Sequence, residues 1–98
     1  MQGDKRMKTF DFISDAGHGW IKCQKSLLSN LGIAERISTY SYMLGDYAYL
    51  EEDCDASILC KALTDSGIQF KFRERHCENR QSRVRNYQTY RNNQGEQA

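Results

Sequence analysis

No proline interrupts this 98-residue chain, and no apolar run approaches the ~20 residues that a membrane-spanning helix needs. The N-terminus carries basic residues, but the apolar stretch of a secretory signal does not follow them. We therefore expect a cytoplasmic protein without a membrane partner. The length predicts a single domain with one modest hydrophobic core.

Cysteine is also scarce, and its spacing matches no common zinc or redox motif. The 4 cysteines are Cys23, Cys54, Cys60 and Cys77. Without a C-x-x-C pair or a secretory signal, they predict neither a structural zinc site nor a disulfide framework. We interpret Cys54 and Cys60 as small apolar residues of a helix. The acidic run 51–55 is better suited to capping that helix, through Asp53 or Asp55, than to holding a cation, because consecutive carboxylates do not converge. We predict no metal and no cofactor.

Hydrophobic periodicity predicts an α+β fold with the element order β-β-α-β-β-α-β. The predicted strands are Met7–Ile13, Trp20–Cys23, Thr39–Met43, Tyr47–Glu51 and Ile68–Arg75. One helix follows the second strand and ends at Gly32, and another covers Ala56–Leu63. Both helices would pack on one face of an antiparallel or mixed sheet of about five strands, leaving the other face partly open. Residues 7–76 would form this domain, between a disordered N-terminus, 1–6, and a basic polar tail, 77–98, that is a short helix or an extended arm.

A hairpin turn is predicted at Gly45-Asp46, because glycine accepts the positive φ that the first position of a type II′ turn requires. This turn places Met43 opposite Ala48 and sets the register of the whole hairpin. The register also places Tyr40 opposite Glu51.

Four tyrosines of the hairpin would share one face of the sheet, since side chains alternate along a strand. They are Tyr40, Tyr42, Tyr47 and Tyr49. In one interpretation the rings form an exposed surface that binds a partner protein or stacks on bases, at roughly 1–3 kcal/mol per base. In the other they cover the core, with the hydroxyls at the rim of the sheet. Either way, we expect at least one ring at the hairpin tip to be exposed.

Basic residues alternate along the last predicted strand and continue into the tail. Together with one tyrosine they make an alternative, nucleic-acid-binding set: Lys71, Arg73, Arg75, Arg83, Arg85 and Tyr87. Cations interleaved with aromatic rings suit single-stranded nucleic acid, through phosphate contacts and stacking. The same strand, if it lies at an edge of the sheet, can pair with a second copy and give a homodimer.

The glycine-flanked His18 is the candidate for chemistry, because an imidazole exchanges a proton near neutral pH. An enzyme would need a partner for it, either Asp15 or His76, in a cleft. The simpler interpretation is a tight turn that His18 helps to fix. No nucleophile motif accompanies the loop, so we predict no catalytic residues.

Residues from Phe10 to Asp55 resemble small proteins of unknown function from bacteriophages and other mobile elements. The resemblance lies in the segments 17–20 (GHGW), 31–33 (LGI), 41–42 (SY) and 47–55 (YAYLEEDCD). It implies a bacterial host cell and an accessory role, such as inhibition of a defence system in the manner of an anti-CRISPR protein. The leading hypothesis is therefore a non-enzymatic protein that binds a host or defence protein complex through the tyrosine hairpin and the basic strand. A nucleic-acid binder and a small enzyme using His18 are the alternatives.

Overall fold

The computed structural model describes residues 7–78 and 81–92, and these form an α+β fold, as predicted. The strands are β1 (Met7–Ser14), β2 (Gly19–Gln24), β3 (Tyr42–Leu44), β4 (Tyr47–Glu51), β5 (Gln69–His76) and β6 (Gln88–Thr89). The helices are α1 (Lys25–Asn30) and α2 (Ala56–Asp65), and two short 3-10 turns occupy Ala34–Arg36 and Arg83–Asn86. The N-terminus 1–6, predicted to be disordered, lies outside the described residues.

The strands form one mixed sheet in the order β5-β1-β2-β4-β3-β6. Only β5 and β1 run parallel, and every other neighbouring pair is antiparallel. The sequence predicted about five strands, and the structure has six in the described residues. The additional strand, β6, was missed because 2 residues are too few to show an alternating pattern.

The β3–β4 hairpin has the predicted register, with Met43 opposite Ala48. Gly45 begins the turn at φ +61°, the conformation for which glycine was expected there. The prediction for Tyr40 was wrong: β3 begins only at Tyr42, so Tyr40 lies in a turn before the strand rather than opposite Glu51. Its backbone N–H donates instead to the hydroxyl of Ser38.

Both helices pack on one face of the sheet and bury the main core there, as predicted. Leu28 of α1 and Leu59 and Leu63 of α2 are fully buried, and they pack in one cluster with Ile21 and Leu50 of the central strands. Burial of each such side chain contributes about 1.5–3 kcal/mol, so this layer supplies most of the stability.

The opposite face carries a second, smaller core that the sequence did not indicate. Its buried members are Trp20 of β2, Tyr49 of β4 and Val84 of the second 3-10 turn. The C-terminal segment, defined here as residues 81–92, crosses this face with Val84 and Tyr87. Beyond the face it is fastened by Tyr90, whose N–H donates to the carbonyl of Ser41 and whose side chain enters the main core, where its hydroxyl donates to the carbonyl of Ala34. The predicted tail therefore includes a segment that covers part of the sheet.

Asp55 occupies the N-cap position of α2, but its carboxylate does not cap the helix. Instead its Oδ2 accepts hydrogen bonds from the backbone and hydroxyl of Ser38 and from the hydroxyl of Ser41. This buried carboxylate ties the segment before β3 to the start of α2. Cys54 was wrongly assigned to the apolar stripe of that helix, since it lies in the preceding turn and is exposed.

Candidate functional site

Beside the C-terminal segment, part of the second sheet face is left uncovered by the residues that the structure describes. Strand pairing places Arg73 of β5 beside Asp11 of β1, and Asp11 opposite Lys22 of β2. These side chains lie on the face opposite the helices, because the alternate residues Phe10 and Phe12 belong to the main core. The uncovered area, which we call the open half-sheet, consists of Asp11, Lys22, Leu44, Tyr47, Lys71, Arg73 and Arg75.

Positive charge dominates the open half-sheet. Arg73 Nε lies 2.9 Å from Asp11 Oδ1, and Arg75 Nε lies 3.6 Å from Asp11 Oδ2. Both arginines remain more than half exposed, at 61% and 54%, so these pairs orient the guanidinium groups and add little stability. Lys71 and Lys22 add further positive charge, and Asp11 is the acidic residue of the area. The surface therefore attracts an acidic partner.

The hairpin tip extends this area with two exposed apolar side chains. Tyr47 and Leu44 lie opposite each other and are 36% and 51% exposed. Lys22 Nζ lies 4.4 Å from the centre of the Tyr47 ring, which joins the aromatic end to the basic end. With strands about 4.8 Å apart, β5 and β4 lie roughly 14 Å from each other across the sheet. An area of this width can contact an extended segment or one face of a partner protein.

The four hairpin tyrosines divide between the core and the surface. Tyr49 is buried against Tyr87, at 5.0 Å between ring centres, and Tyr42 is half-buried beside Trp20. Tyr47 is exposed at the hairpin tip, as expected, and Tyr40 is exposed in the turn before β3. The structure therefore does not bring the four rings into one exposed platform.

Arg85 and Asp15, which the sequence suggested for two different sites, bind each other. Arg85 donates from Nε and Nη2 to the two carboxylate oxygens of Asp15, at 2.7 and 2.8 Å. The carboxylate also accepts from the N–H groups of Ser82, Gly17 and His18. The Arg85 hydrogen bonds, helped by these N–H groups, outweigh the effect of burial and hold the pKa of Asp15 well below its usual range. This pair fastens the C-terminal segment to the β1–β2 loop.

The predicted nucleic-acid-binding set is divided in the same way. Lys71, Arg73 and Arg75 are exposed along β5, and Arg83 is exposed in the second 3-10 turn. Arg85 is occupied by Asp15 and also lies over the ring of Trp20, at 5.6 Å from its centre. Tyr87 covers Tyr49. Only the strand residues of this set lie on the open half-sheet.

His18 does have a carboxylate partner, but it is Glu51 rather than the predicted Asp15 or His76. His18 Nδ1 lies 3.2 Å from Glu51 Oε2, whereas His76 Nδ1 lies 2.9 Å from the hydroxyl of Ser14. Glu51 therefore contacts the imidazole at Nδ1 and not at Nε2. Glu51 was missed because it is 33 residues away in the sequence.

The His18–Glu51 pair lines a cavity of about 370 Å³, together with Tyr42 and Cys54. Desolvation and the hydrogen bond and charge of Glu51 raise the pKa of the Cys54 thiol, which keeps it protonated near neutral pH. The cavity thus offers an imidazole but no activated nucleophile among the residues that the structure describes. A larger cavity, of about 560 Å³, lies where β1 and β2 cease to pair, and residues of the open half-sheet form one of its walls.

Comparison of the chain with protein-family models, with curated proteins and with solved structures finds no match in any of the three. Within residues 7–78 and 81–92, no group of three or more histidine, cysteine, aspartate and glutamate side chains is arranged to hold a metal ion. In the same residues, no helix has the length and apolar character needed to cross a membrane.

Proposed function

We propose that this chain is a binding protein that holds an acidic partner protein on its open half-sheet. The observation that carries the proposal is the uncovered basic area beside an exposed apolar hairpin tip. Apolar contact at one end and cations at the other match the mixed character of protein interfaces, in which tyrosine and arginine are enriched. The resemblance to mobile-element proteins favours a host or defence protein as the partner, within the cytoplasm of a bacterial cell.

The way in which the C-terminal segment covers the sheet supports a binding surface at the open half-sheet. On the same face, the C-terminal segment buries Trp20 and Tyr49 and is held there by the Asp15–Arg85 pair. The neighbouring cations stay in solvent although the chain has a segment that can cover the sheet. A surface left open beside a fixed covering segment is available to a partner without unfolding of the domain.

Affinity capture from bacterial lysate tests the proposal. The tagged protein is compared with the double variant Lys71→Glu, Arg73→Glu, and with the single variant Lys61→Glu as a charge-reversal control on the other face. Lys61 lies on α2, which packs on the opposite face of the sheet, and it pairs with exposed Asp65 at 3.2 Å. We expect a discrete, nuclease-resistant protein that the wild type and Lys61→Glu retain and the double variant loses. Equal retention by all three proteins would reject the open half-sheet as the binding surface.

Single-stranded nucleic acid is the second candidate, favoured by the same cations. Neutralised phosphates release counterions, so three or four contacts predict a slope of log affinity against log salt of about −2 to −3. However, Lys22 lies over the ring of Tyr47, which is the exposed ring of this area, and this leaves little surface for base stacking. Capture that disappears after nuclease treatment, together with such a salt slope, would favour this candidate over a protein partner.

A further inference from the structure

Strand β5 forms an edge of the sheet and pairs on one side only. It runs parallel to β1 from Gln69 to His76, and its other side has no partner strand among the residues that the structure describes. All of its residues except Phe70 are exposed. An open edge of 8 residues is long enough to pair with another strand over its whole length.

The orientation of the backbone shows which groups are available at this edge. The N–H of Cys77 donates to the carbonyl of Ser14 in β1, so the odd-numbered residues of β5 direct their backbone groups toward β1. Because these directions alternate along a strand, the N–H and C=O groups of Phe70, Phe72 and Glu74 point to the open edge. They provide the hydrogen bonds that an added strand needs.

A second copy of the chain is a poor match for this edge. In an antiparallel pair of identical strands, related by a two-fold axis normal to the sheet, residues from the same face lie opposite each other. The cations at positions 71, 73 and 75 share one face. In such a pair each of them lies opposite a residue of this same face, so a cation that has a charged residue opposite it faces another cation. Like charges directly opposite are destabilising. The homodimer that the sequence suggested is therefore disfavoured, and the same cations favour a strand that carries acids.

We propose that the open edge of β5 binds an extended segment of the partner by strand addition, and that this segment alternates acidic with apolar residues. The acids would lie beside Lys71, Arg73 and Arg75, and the apolar residues beside Phe72, which is 40% exposed on the other face. This inference rests on the proposed function, because it names the chemistry by which a protein partner is recognised.

A fluorescein-labelled nine-residue peptide, in which glutamate alternates with valine, serves as the probe. Glu74→Pro removes one edge N–H without removing a hydrogen bond to β1, and proline is tolerated at such edge positions. We expect Glu74→Pro to weaken peptide binding by about tenfold or more, since it removes a donor and obstructs the added strand. Glu74→Ala, which removes the same side chain but keeps the N–H, should bind at least as well as the wild type.

Two N-methylated peptides make the test independent of how the variant folds. One is methylated at the backbone nitrogens of its glutamates and the other at those of its valines. Each peptide has therefore lost the N–H donors along one of its own two edges. Strand addition in one orientation requires that only one of them loses binding. Binding that both peptides and Glu74→Pro keep, but that Arg73→Glu abolishes, would reject strand addition and leave the open half-sheet as the binding surface. Absence of binding by the unmodified peptide would reject the inference, while the capture experiment would still decide the proposed function.

Discussion

At the scale of single residues, Asp15 contributes most to the arrangement of the second sheet face. It is buried, and its two oxygens accept from the guanidinium of Arg85 and from three backbone N–H groups. The sequence identified Asp15 and His18 as residues of one loop, which they are. It did not identify their side-chain partners, because Arg85 is 70 positions and Glu51 is 33 positions away, and no local pattern specifies contacts at such separations.

Asp15→Asn should destabilise the domain by about 3 kcal/mol, because it leaves the partly buried Arg85 without its counter-charge. The side chain keeps nearly the same size, so the loss reports on the charge and not on packing. Urea unfolding followed by tryptophan emission measures the effect. Asp65→Asn, at an exposed ion pair on α2, is the control and should stay within about 0.5 kcal/mol. Equal effects of the two changes would show that the Asp15–Arg85 pair does not fasten the fold.

The pH dependence of stability follows from the lowered pKa of Asp15. In the unfolded chain an aspartate takes up its proton near pH ~3.9, whereas in the folded protein Asp15 stays ionised to a much lower pH. The contribution of Asp15 to stability is therefore complete above the unfolded-state pKa of ~3.9 and is lost as the pH falls below that value. The difference in unfolding free energy between wild type and Asp15→Asn should shrink as the pH falls from ~4 toward 2. A difference that stayed constant over this range would contradict the assigned pKa.

At the scale of elements, the hairpin and the C-terminal segment show what local sequence can and cannot predict. The turn at Gly45 and the register that it sets were predicted correctly because both depend on neighbouring residues. The 3-10 turn and β6 form only because residues far along the chain, such as Tyr49 and Ser41, provide the surface and the carbonyl that they need. The open half-sheet was predicted only in part for the same reason. The alternating basic residues are a local pattern of one strand, whereas the pairing of that strand beside β1 depends on residues far along the chain.

Val84→Ala tests the role of the C-terminal segment. Val84 is buried against Trp20 and Tyr49, so removing two methyl groups should cost about 2 kcal/mol and loosen the segment. Trp20 is the single tryptophan of the chain, and its emission should shift to longer wavelength as the segment opens. Arg83→Ala, at an exposed position of the same turn, should change neither quantity. A Val84→Ala protein with unchanged emission and stability would show that the segment is not needed to cover the ring.

At the scale of the whole molecule, helices cover one face of the sheet, and among the described residues the C-terminal segment covers part of the other. The sequence predicted two helices on one face of the sheet, which the structure confirms, and a partly open opposite face, part of which the C-terminal segment covers. The position of β5 at the edge beside β1 was not predictable, because the parallel pairing brings together strands from opposite ends of the domain. That pairing places Arg73 and Arg75 beside Asp11, in line with Lys22, and so creates the open half-sheet.

The most direct test of a partner on the open half-sheet is an NMR titration of the ¹⁵N-labelled protein with the protein retained in the capture experiment. The account predicts that the largest amide shifts fall on β5, on Lys22 and on the hairpin tip at Tyr47. Residues of α2 and the His18 loop should shift little. Shifts concentrated on α2 or around His18, with β5 unchanged, would contradict it and would place the binding surface elsewhere on the molecule.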